Sequence, residues 1–364
     1  TDGKSKYNAI LDKYFEYPKK IYKNLTTLRD KIKSSKDLKK HQKLIKSVEK
    51  EITIFHAKAV NEILKKKKVN IDFIGFHGQT IFHNADEKTS RQLGDGKLLS
   101  KLTKKNVVYD FRQKDLRKGG HGAPLTPIFH KVLAQKFKIT YSYFLNIGGI
   151  TNYTLIDDGS EGVKFDIMGI KLKQKKDLYI SANDIGPGMC LVDRWIRTNS
   201  KKKYDKDGNL AKSGKVDINL VEEALWDHKK IKKLNKKTMM YKQSFDVKDF
   251  DGSFVKGLSL KDGAATLIEF TVSDLIPSLH FTEKYGYNLV LCGGGRKNKV
   301  LVKKLKKFST RIKLIDDYGI DGDFVESQAF AYLAIRSYLK LPISFPETTG
   351  VSKPCTGGVI IKKN

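Results

Sequence analysis

Three glycine-rich turns, each of which follows an apolar strand, constrain the fold of this chain more than any other feature. They are Leu145-Asn146-Ile147-Gly148-Gly149, Asn183-Asp184-Ile185-Gly186-Pro187-Gly188 and Leu291-Cys292-Gly293-Gly294-Gly295. Between and after them, apolar residues recur at helical spacing, which predicts helices at 189–197, 217–235 and 262–284. Strands that alternate with helices favour an α/β fold with layered, mixed sheets.

The rest of the chain completes this alternation. Apolar spacing predicts an amphipathic helix at about 41–66 and further helices at 125–136, 298–307 and 324–340. Strands are predicted at 69–76, 81–83, 91–93, 106–111, 140–147, 151–156, 164–168, 178–182, 287–292 and 312–315. The strands 140–147 and 151–156 should form a hairpin through Gly148-Gly149. Residues 199–215 are predicted to be a surface loop, and the tail from 346 to pack irregularly.

The length indicates two domains. A chain of 364 residues is too long for one ordinary core and suits two domains of ~150–200 residues each. We place the boundary so that residues 1–138 form the N-terminal domain and 139–364 the C-terminal domain, with the tail free to pack back on the first.

The net charge is high but argues against nucleic acid as the main partner. Lys and Arg number 71 and Asp and Glu 40, a net charge of +31. Only nine of the basic residues are Arg, whereas readers of phosphates and bases rely on Arg for bidentate contacts. The lysines are scattered along the whole chain, so we interpret them mainly as solvated surface that still attracts anionic substrates.

Cysteine usage and hydropathy exclude several classes of protein. Cys190, Cys292 and Cys355 lie far apart without a CxxC pair, which argues against a disulfide framework or zinc ribbon and predicts a reducing, cytoplasmic compartment. The sequence has no run of ~18 apolar residues, so no membrane span is predicted. Its first residues are polar, so no signal peptide is predicted. The histidines show no metal-ligand spacing, so no metal-binding residues are predicted.

The glycine clusters suit a phosphate ligand. Glycines at strand ends allow close approach of a ligand, and free N–H groups with a helix behind them bind anions. None of the clusters matches the Walker or Rossmann pattern. A single such turn is more often structural, but three in one block favour a nucleotide. Asp184 among them is either a general base or the cap of the following helix.

Polar residues after two N-terminal strands form a second set of candidates. His77-Gly78-Gln79-Thr80 offers small hydrogen-bonding groups that suit a polyhydroxylated ligand, or else a turn capped by Thr80. Arg112 could hold a substrate carboxylate bidentately, or else pair internally with Asp115. The glycine-rich stretch from Gly119 to Leu125 is typical of backbone that approaches something closely.

Taken together, these motifs carry a resemblance to a known family. The series Gly75-Phe76-His77-Gly78-Gln79-Thr80, Asp110-Phe111-Arg112, Gly119 to Pro127, Asn146-Ile147-Gly148-Gly149-Ile150-Thr151-Asn152, Asn183 to Gly188, Leu291 to Gly295 and Glu326-Ser327-Gln328-Ala329-Phe330-Ala331 resembles anhydro-N-acetylmuramic acid kinase. The motifs fall in family order along nearly the whole chain. The resemblance implies two RNase-H-like α/β domains of the sugar kinase/hexokinase/actin-like superfamily, which flank an interdomain cleft.

The resemblance also implies a reaction and its residues. Water would open the 1,6-anhydro sugar of recycled cell wall, and ATP with Mg²⁺ would phosphorylate O6 to give N-acetylmuramic acid 6-phosphate. Asp184 would be the catalytic base. The first domain would mainly bind the sugar and the second mainly the nucleotide, and a homodimer is left open. The implied sugar-binding residues are His77, Gln79, Thr80, Gln92, Arg112, Gly122 and Glu326, and the implied nucleotide-binding residues are Asn146, Gly148, Gly149, Asn152, Gly186, Gly188, Gly293, Gly294, Gly295 and Asn298.

Two departures from the family pattern bear on these expectations. Met189 stands where the family usually has Asn. Thr1-Asp2-Gly3 resembles the second strand of the family, so we expect its first strand and phosphate loop to be missing here, with weak ATP turnover as the result. The alternatives are therefore an inactive, truncated member of the family or a basic nucleotide- or nucleic-acid-binding protein.

Overall fold

The computed structural model describes residues 1–67, 70–159, 178–234 and 245–363. Their contacts divide the chain into two units, Thr1–Val132 with Phe324–Asn364, and Leu133–Asp323. Residues 324–364 group with the first unit, and the domain boundary at residue 139 stays a prediction. The strand predicted at 164–168 lies outside the described residues.

Helices and strands alternate along the described chain. Up to residue 138 the elements are α1 (Lys19–Lys31), α2 (Ser35–Lys40), α3 (Gln42–Lys67), β1 (Phe73–Phe76), β2 (Gln79–Asn84), β3 (Thr89–Leu93), α4 (Gly96–Thr103), β4 (Asn106–Tyr109), α5 (Gln113–Arg117) and α6 (Pro127–Phe137). From there to residue 323 they are β5 (Ser142–Ile147), β6 (Ile150–Asp157), β7 (Tyr179–Pro187), α7 (Cys190–Asn199), α8 (Asn209–Lys212), α9 (Ile218–Leu234), α10 (Leu260–Lys284), β8 (Asn288–Cys292), α11 (Lys299–Phe308) and β9 (Ile312–Leu314). The last elements are α12 (Val325–Tyr338), α13 (Pro346–Thr349) and β10 (Val359–Ile361).

The first unit contains a small mixed sheet in the order β1-β4-β10. β1 and β4 are parallel, with Phe76 opposite Tyr109, and β10 pairs antiparallel to β4. The prediction of an irregular tail is therefore wrong in part. Val359-Ile360-Ile361 is a run of β-branched residues, which favour extended backbone, and it pairs with the otherwise open edge of β4. β2 and β3 form a separate antiparallel pair.

The second unit is built on a five-stranded sheet in the order β7-β6-β5-β8-β9. β5, β6 and β7 are antiparallel to one another in turn, whereas β5, β8 and β9 are parallel. Tyr143, Leu145 and Leu289 are buried in the core between this sheet and the helices. The hairpin predicted through Gly148-Gly149 is confirmed, and so is the α/β class with mixed sheets.

Two predicted segments differ from the structure. Residues 199–215 are not a plain surface loop, because they include a 3₁₀ turn at 206–208 and α8, and Asp205 and Ala211 are buried. The apolar content of this segment is too low to indicate such packing from sequence. The strand predicted at 178–182 also does not end there, because β7 continues to Pro187 through its pairing with β6.

Among the helices of the described residues, none has the length and hydropathy that crossing a bilayer needs.

Asp115 is the buried charge on which the middle of the first unit depends. Its side chain is buried and accepts hydrogen bonds from Gly122 N at 2.7 Å, Ser344 Oγ at 2.5 Å and Thr349 Oγ1 at 2.8 Å. These bonds tie α5 and the following turn to the residues around α13. The carboxylate thereby joins segments more than 200 positions apart in sequence.

Replacing Asp115 should destabilise the protein strongly. In Asp115→Ala three donors lose their acceptor in a buried place, so we expect the free energy of unfolding to fall by about 3 to 5 kcal/mol. Urea unfolding followed by circular dichroism measures this. The exposed Asp86→Ala is the control and should change the value by less than about 0.5 kcal/mol. A loss of the same small size in both variants would show that the three hydrogen bonds are not needed.

Candidate functional site

The three glycine clusters of the second unit follow the ends of strands that run in the same direction. β5 and β8 are parallel, and β7 is antiparallel to β6, which is itself antiparallel to β5. The carboxyl ends of β5, β7 and β8 therefore lie at one edge of the sheet. Backbone bonds hold them together, from Gly188 N to Gly149 O at 2.9 Å and from Met189 N to Gly148 O at 2.7 Å.

A row of polar side chains crosses the sheet at this edge. Asp184 on β7 is paired with Asn152 on β6, and Asn152 is paired with Asn146 on β5. Residues paired laterally project on the same face of a sheet, so the carboxylate and the two amides share one face. All three are half-buried. The row combines a potential base with two neutral side chains that can both donate and accept hydrogen bonds.

Asp184 is fixed within a strand rather than in a turn. Its Oδ2 accepts a hydrogen bond from the Phe245 backbone N–H at 2.9 Å. The alternative that Asp184 caps the next helix is wrong, because the residue at the N-cap of α7 is Met189. The carboxylate is thus held in place on the sheet by its strand and by a backbone donor.

The predicted glycines fall into two physical classes. A Cβ on Gly186, Gly188, Gly293 or Gly295 would lie 2.2–2.5 Å from another atom, so close packing of the chain itself requires glycine there. Gly148, Gly149 and Gly294 differ. A Cβ on the first two would meet nothing nearer than 3.5 Å, and a Cβ on Gly294 would meet nothing within 4 Å. The described chain does not explain why these three are glycine, whereas a ligand that approaches their backbone would.

These three glycines line a cavity of about 610 Å³ in the second unit. A volume of this size suits a small organic ligand. Asn298, predicted to bind the nucleotide, also lines it and caps α11 by accepting from Val300 N and Leu301 N. The other lining residues are Ile147, Met189, Asp193, Tyr204, Asp205, Lys206, Asp207, Gly295 and Lys297.

Two carboxylates of this cavity play different roles. Asp205 accepts from Leu210 N at 2.8 Å and Ala211 N at 3.0 Å, so it holds the start of α8. Burial raises the pKa of Asp193 to about 6, and the Asp205 charge adds to that rise while Arg197 opposes it. The carboxyl group of Asp193 therefore takes up a proton at a higher pH than an ordinary aspartate does.

In the first unit, three of the predicted sugar-binding residues form one hydrogen-bonded group. Arg112 donates from Nε and Nη2 to His77 Nε2, at 3.2 and 3.0 Å, and from Nη1 to the Gly122 carbonyl at 2.8 Å. The His77 ring also packs on the Phe330 ring, with centroids 4.2 Å apart. Burial, and then the Arg112 charge, lower the pKa of His77 to about 3. His77 is therefore neutral at pH 7 and accepts through Nε2.

The remaining predicted sugar-binding residues are placed separately. Thr80 is opposite Gln92 on the β2–β3 pair, and Gln92 Nε2 donates to Thr80 Oγ1 at 3.3 Å. Gln79 contacts the Tyr17 hydroxyl through its side chain. Glu326 is exposed in the first turn of α12, and within the described ranges no hydrogen bond or ion pair joins it to the His77 group. The role of all seven residues in sugar binding stays a prediction.

Sequence reasoning missed several residues around the candidate nucleotide cavity. Asp193, Tyr204, Lys206 and Asp207 line it, although no glycine motif marks them. The one signal in the sequence was Asp205-Lys206-Asp207-Gly208, an acidic turn that ends in glycine. Phe245 was also missed, because its contact is made by the backbone N–H, which nearly every residue type has.

Comparison with known proteins identifies the family. A model of the anhydro-N-acetylmuramic acid kinase family matches residues 2–170 and 174–363. The chain is 48% identical over 370 aligned residues to a protein of Pelagibacter ubique named anhydro-N-acetylmuramic acid kinase, with 100% of this chain and 93% of that protein covered. A protein of the same name from Agrobacterium fabrum is 35% identical, again over 100% and 93%, and one from Rhizobium johnstonii is 37% identical over 87% and 81%.

This chain belongs to the anhydro-N-acetylmuramic acid kinase family. The resemblance stated from the motifs is thereby confirmed. Membership places the two-unit α/β fold in the sugar kinase/hexokinase/actin-like superfamily.

Gly294 and Gly295 are neighbours that belong to different classes of glycine in this kinase-family site. Alanine substitutions at the two positions therefore separate ligand binding from packing. Gly294→Ala adds a methyl group in open space, so its unfolding free energy should change by less than about 1 kcal/mol, while ATP affinity falls at least about tenfold. Gly295→Ala places a methyl group 2.4 Å from Ile147 Cγ2 and should cost about 1 to 3 kcal/mol of stability. Calorimetric titration and urea unfolding measure the two effects. Unchanged ATP affinity in Gly294→Ala would contradict a ligand at this backbone.

The low pKa of His77 predicts acid sensitivity. The unfolded chain binds this proton near the ordinary pKa of 6.5, whereas the folded chain binds it only near 3. The free energy of unfolding should therefore fall as pH drops below 6.5, by up to about 1.4 kcal/mol per pH unit for this group. His77→Gln keeps an acceptor for Arg112 and should make the fall between about pH 7 and pH 5 shallower. His41→Gln is the control, and equal slopes in the two variants would rule out this role.

Proposed function

We propose that this protein is an ATP-dependent kinase that opens 1,6-anhydro-N-acetylmuramic acid with water and phosphorylates O6, giving N-acetylmuramic acid 6-phosphate. The observation that carries the proposal is the row of Asp184, Asn152 and Asn146 beside three glycine-rich strand ends. The names of the relatives supply the substrate. The resemblance to the kinase family supplies the order of the reaction steps.

Asp184 is the residue suited to activate water. Its carboxylate stands half-buried at the sheet edge, where the Phe245 N–H holds Oδ2, and a carboxylate fixed in this way is suited to accept a proton from a water molecule. As that water attacks C1 of the sugar, the C1–O6 bond breaks. The released O6 then takes the γ-phosphoryl group of ATP, and ADP leaves. A weak nucleophile such as water needs a fixed base, which is why the position of Asp184 matters.

The glycines that the fold does not require are suited to the phosphates. Gly148, Gly149 and Gly294 offer backbone N–H groups without side chains in the way, and they line the cavity of about 610 Å³. Asn146 and Asn152 stand next to the first of these turns and can bond phosphate oxygens. We therefore assign the cavity to ATP. Catalysis of phosphoryl transfer depends mainly on such positioning and charge.

The His77 group is suited to the sugar. Arg112 carries a fixed positive charge in a place already ordered by His77 and by the Gly122 carbonyl, which fits the carboxylate of a muramic acid. Gln79, Thr80 and Gln92 provide amide and hydroxyl groups for sugar hydroxyls and the acetamido group. Glu326 is included in the sugar site only because of the sequence motif in which it lies.

The proposal includes Mg²⁺ and a cellular setting. In the described part of the chain no group of three or more His, Cys, Asp or Glu side chains could hold a metal ion by itself. Mg²⁺ would therefore be bound through ATP phosphates and water, and its charge would stabilise the transferring phosphoryl group. Three free, buried cysteines fit a reducing compartment, so we propose cell-wall recycling in the cytoplasm.

The comparisons do not favour the other readings of the sequence. Each reported relative is named as the kinase, at up to 48% identity. An inactive family member or a basic nucleic-acid-binding protein would need an observation that separates it from those relatives, and Asp184 with its neighbours is present here.

Replacing the proposed base tests the function directly. Asp184→Asn keeps the size of the side chain but removes the base, so kcat should fall at least about a thousandfold while ATP binding stays within about twofold. Coupled ADP release with the anhydro-sugar measures the rate. The exposed Glu283→Gln is the matched control in the same unit and should keep full activity.

Two results would count against the proposal. If wild-type protein released no ADP in the presence of the anhydro-sugar, the kinase reaction would not be its function. If Asp184→Asn kept more than about a tenth of the wild-type kcat, a loss below ~1.4 kcal/mol, Asp184 would not be the base.

A further inference from the structure

The segment 245–250 touches both parts of the proposed reaction centre. The Phe245 N–H donates to Asp184 Oδ2 at 2.9 Å. The nearest side-chain atom to an added Cβ on Gly149 would be Val247 Cγ1 at 3.5 Å, so Val247 packs beside the phosphate turn. A shift of this segment would thus move a hydrogen-bond donor away from the base and change the packing at the turn.

Hydrogen bonds within the segment and the burial of Phe250 define its shape. Asp246 and Asp249 form a capping box around the turn 247–249. Asp246 Oδ1 accepts a hydrogen bond from Lys248 N, and Asp249 Oδ2 accepts one from Asp246 N. Phe250 is buried in the core, and its ring lies 5.3 Å from that of Phe245. These contacts fix the shape of the segment and one end of it.

Arg194 on α7 supplies the attachment at the middle. Its Nη2 donates to the Val247 carbonyl at 2.9 Å and its Nη1 to the Phe250 carbonyl at 3.3 Å. Two parallel donors from one planar guanidinium fix an orientation that a single donor cannot. Arg194 stands one turn into the helix that begins directly after β7, the strand that carries Asp184.

We propose that Arg194 is a positioning residue, which clamps the segment 245–250 so that the Phe245 N–H stays on the carboxylate of Asp184. The inference rests on the proposed role of Asp184 as the base. Within the described residues, the hydrogen bonds of the Arg194 guanidinium go to the carbonyls of Val247 and Phe250, and the same segment reaches Asp184 through the Phe245 N–H.

Other charged groups near these residues must be kept constant in a test. Close to Arg194, hydrogen bonds from Ser253 hold the pKa of Asp251 below its ordinary value, and the positive charges of Lys256 and Arg194 add to a lesser degree. Next to β7, Asp274 Oδ2 would lie 2.5 Å from a Cβ on Gly186, and His228 Nδ1 is 4.0 Å from Asp274 Oδ1. A substitution of Arg194 leaves the Asp274–His228 pair in place.

The first experiment measures kinetics of Arg194→Gln and Arg194→Lys. With the clamp released, kcat should fall about tenfold to fiftyfold in Arg194→Gln, while KM for ATP and for the sugar changes less than about threefold. A carboxylate that loses an N–H donor has a higher pKa, so the acid limb of kcat/KM should move up by roughly one pH unit. Arg194→Lys, with one donor, should lie between wild type and Arg194→Gln.

The matched control is Arg311→Gln in the same unit. Arg311 is exposed, and its Nη1 donates to the Gly286 carbonyl at 3.1 Å, at the amino end of β8, whereas the cavity lies at the carboxyl ends of the strands. Its loss should leave kcat and the acid limb within about twofold and about 0.2 units of wild type. The loss of an arginine charge and of its bond to a backbone carbonyl is thereby separated from the clamp.

The second experiment does not depend on activity. Hydrogen exchange followed by mass spectrometry should show faster exchange in peptides that cover 245–255 in Arg194→Gln, and no such change in Arg311→Gln. Unchanged exchange there would overturn the clamp. So would a loss of kcat without a shift of the acid limb, because a merely structural role would lower the rate without moving the pKa of Asp184.

The two proposals fail in different ways. If Asp184→Asn is inactive and Arg194→Gln behaves like wild type, the positioning role is wrong and the proposed function stands. If Asp184→Asn keeps its activity, the proposed base is wrong and the positioning role falls with it.

Discussion

The pairing of β6 between β5 and β7 is the constraint on which the rest of the second unit depends. It sets Asn152 between Asn146 and Asp184, and it aligns the carboxyl ends of β5 and β7 with that of the parallel β8. A shift of one residue in the β6–β7 register would turn Asp184 to the other face of the sheet. The half-buried carboxylate would then lie on the opposite side from the two asparagines. The candidate reaction centre therefore follows from backbone hydrogen bonding before any side chain is considered.

Glycine serves two different purposes at this sheet edge. Gly188 and Gly293 allow strands and turns to approach within distances that no side chain permits, so they hold the three strand ends together. Gly148 and Gly294 leave open space beside the cavity. The first kind builds the frame and the second leaves the backbone accessible to an anionic ligand. The clamp of Arg194 on the segment 245–250 adds a third feature. It holds the Phe245 N–H on the carboxylate of Asp184, although within the described residues the hydrogen bonds of the Arg194 guanidinium go only to backbone carbonyls of that segment.

The first unit shows how buried polar groups can be ordered without a ligand. Asp115 gathers three donors from distant parts of the chain, and His77 accepts two hydrogen bonds from Arg112. Burial and the Arg112 charge together keep the pKa of His77 low, so the imidazole remains neutral and holds the guanidinium in one orientation. In the proposed sugar site, a pre-oriented Arg112 would lose little further freedom on binding a carboxylate.

The sequence by itself determined the class of fold, most of the elements and the family. Long periodic segments such as α3, and the hairpin through Gly148-Gly149, follow from local spacing and turn chemistry, and the ordered motifs identify the family. Only the tertiary structure decided that β7 runs through Asp184, that 199–215 is partly buried and that 359–361 forms a strand on β4. The physical reason is that these segments are stabilised by partners far away in the chain. The contacts of Arg194 and Phe245 belong to the same class, because a bond to a backbone group depends on position in space and leaves no pattern in residue type.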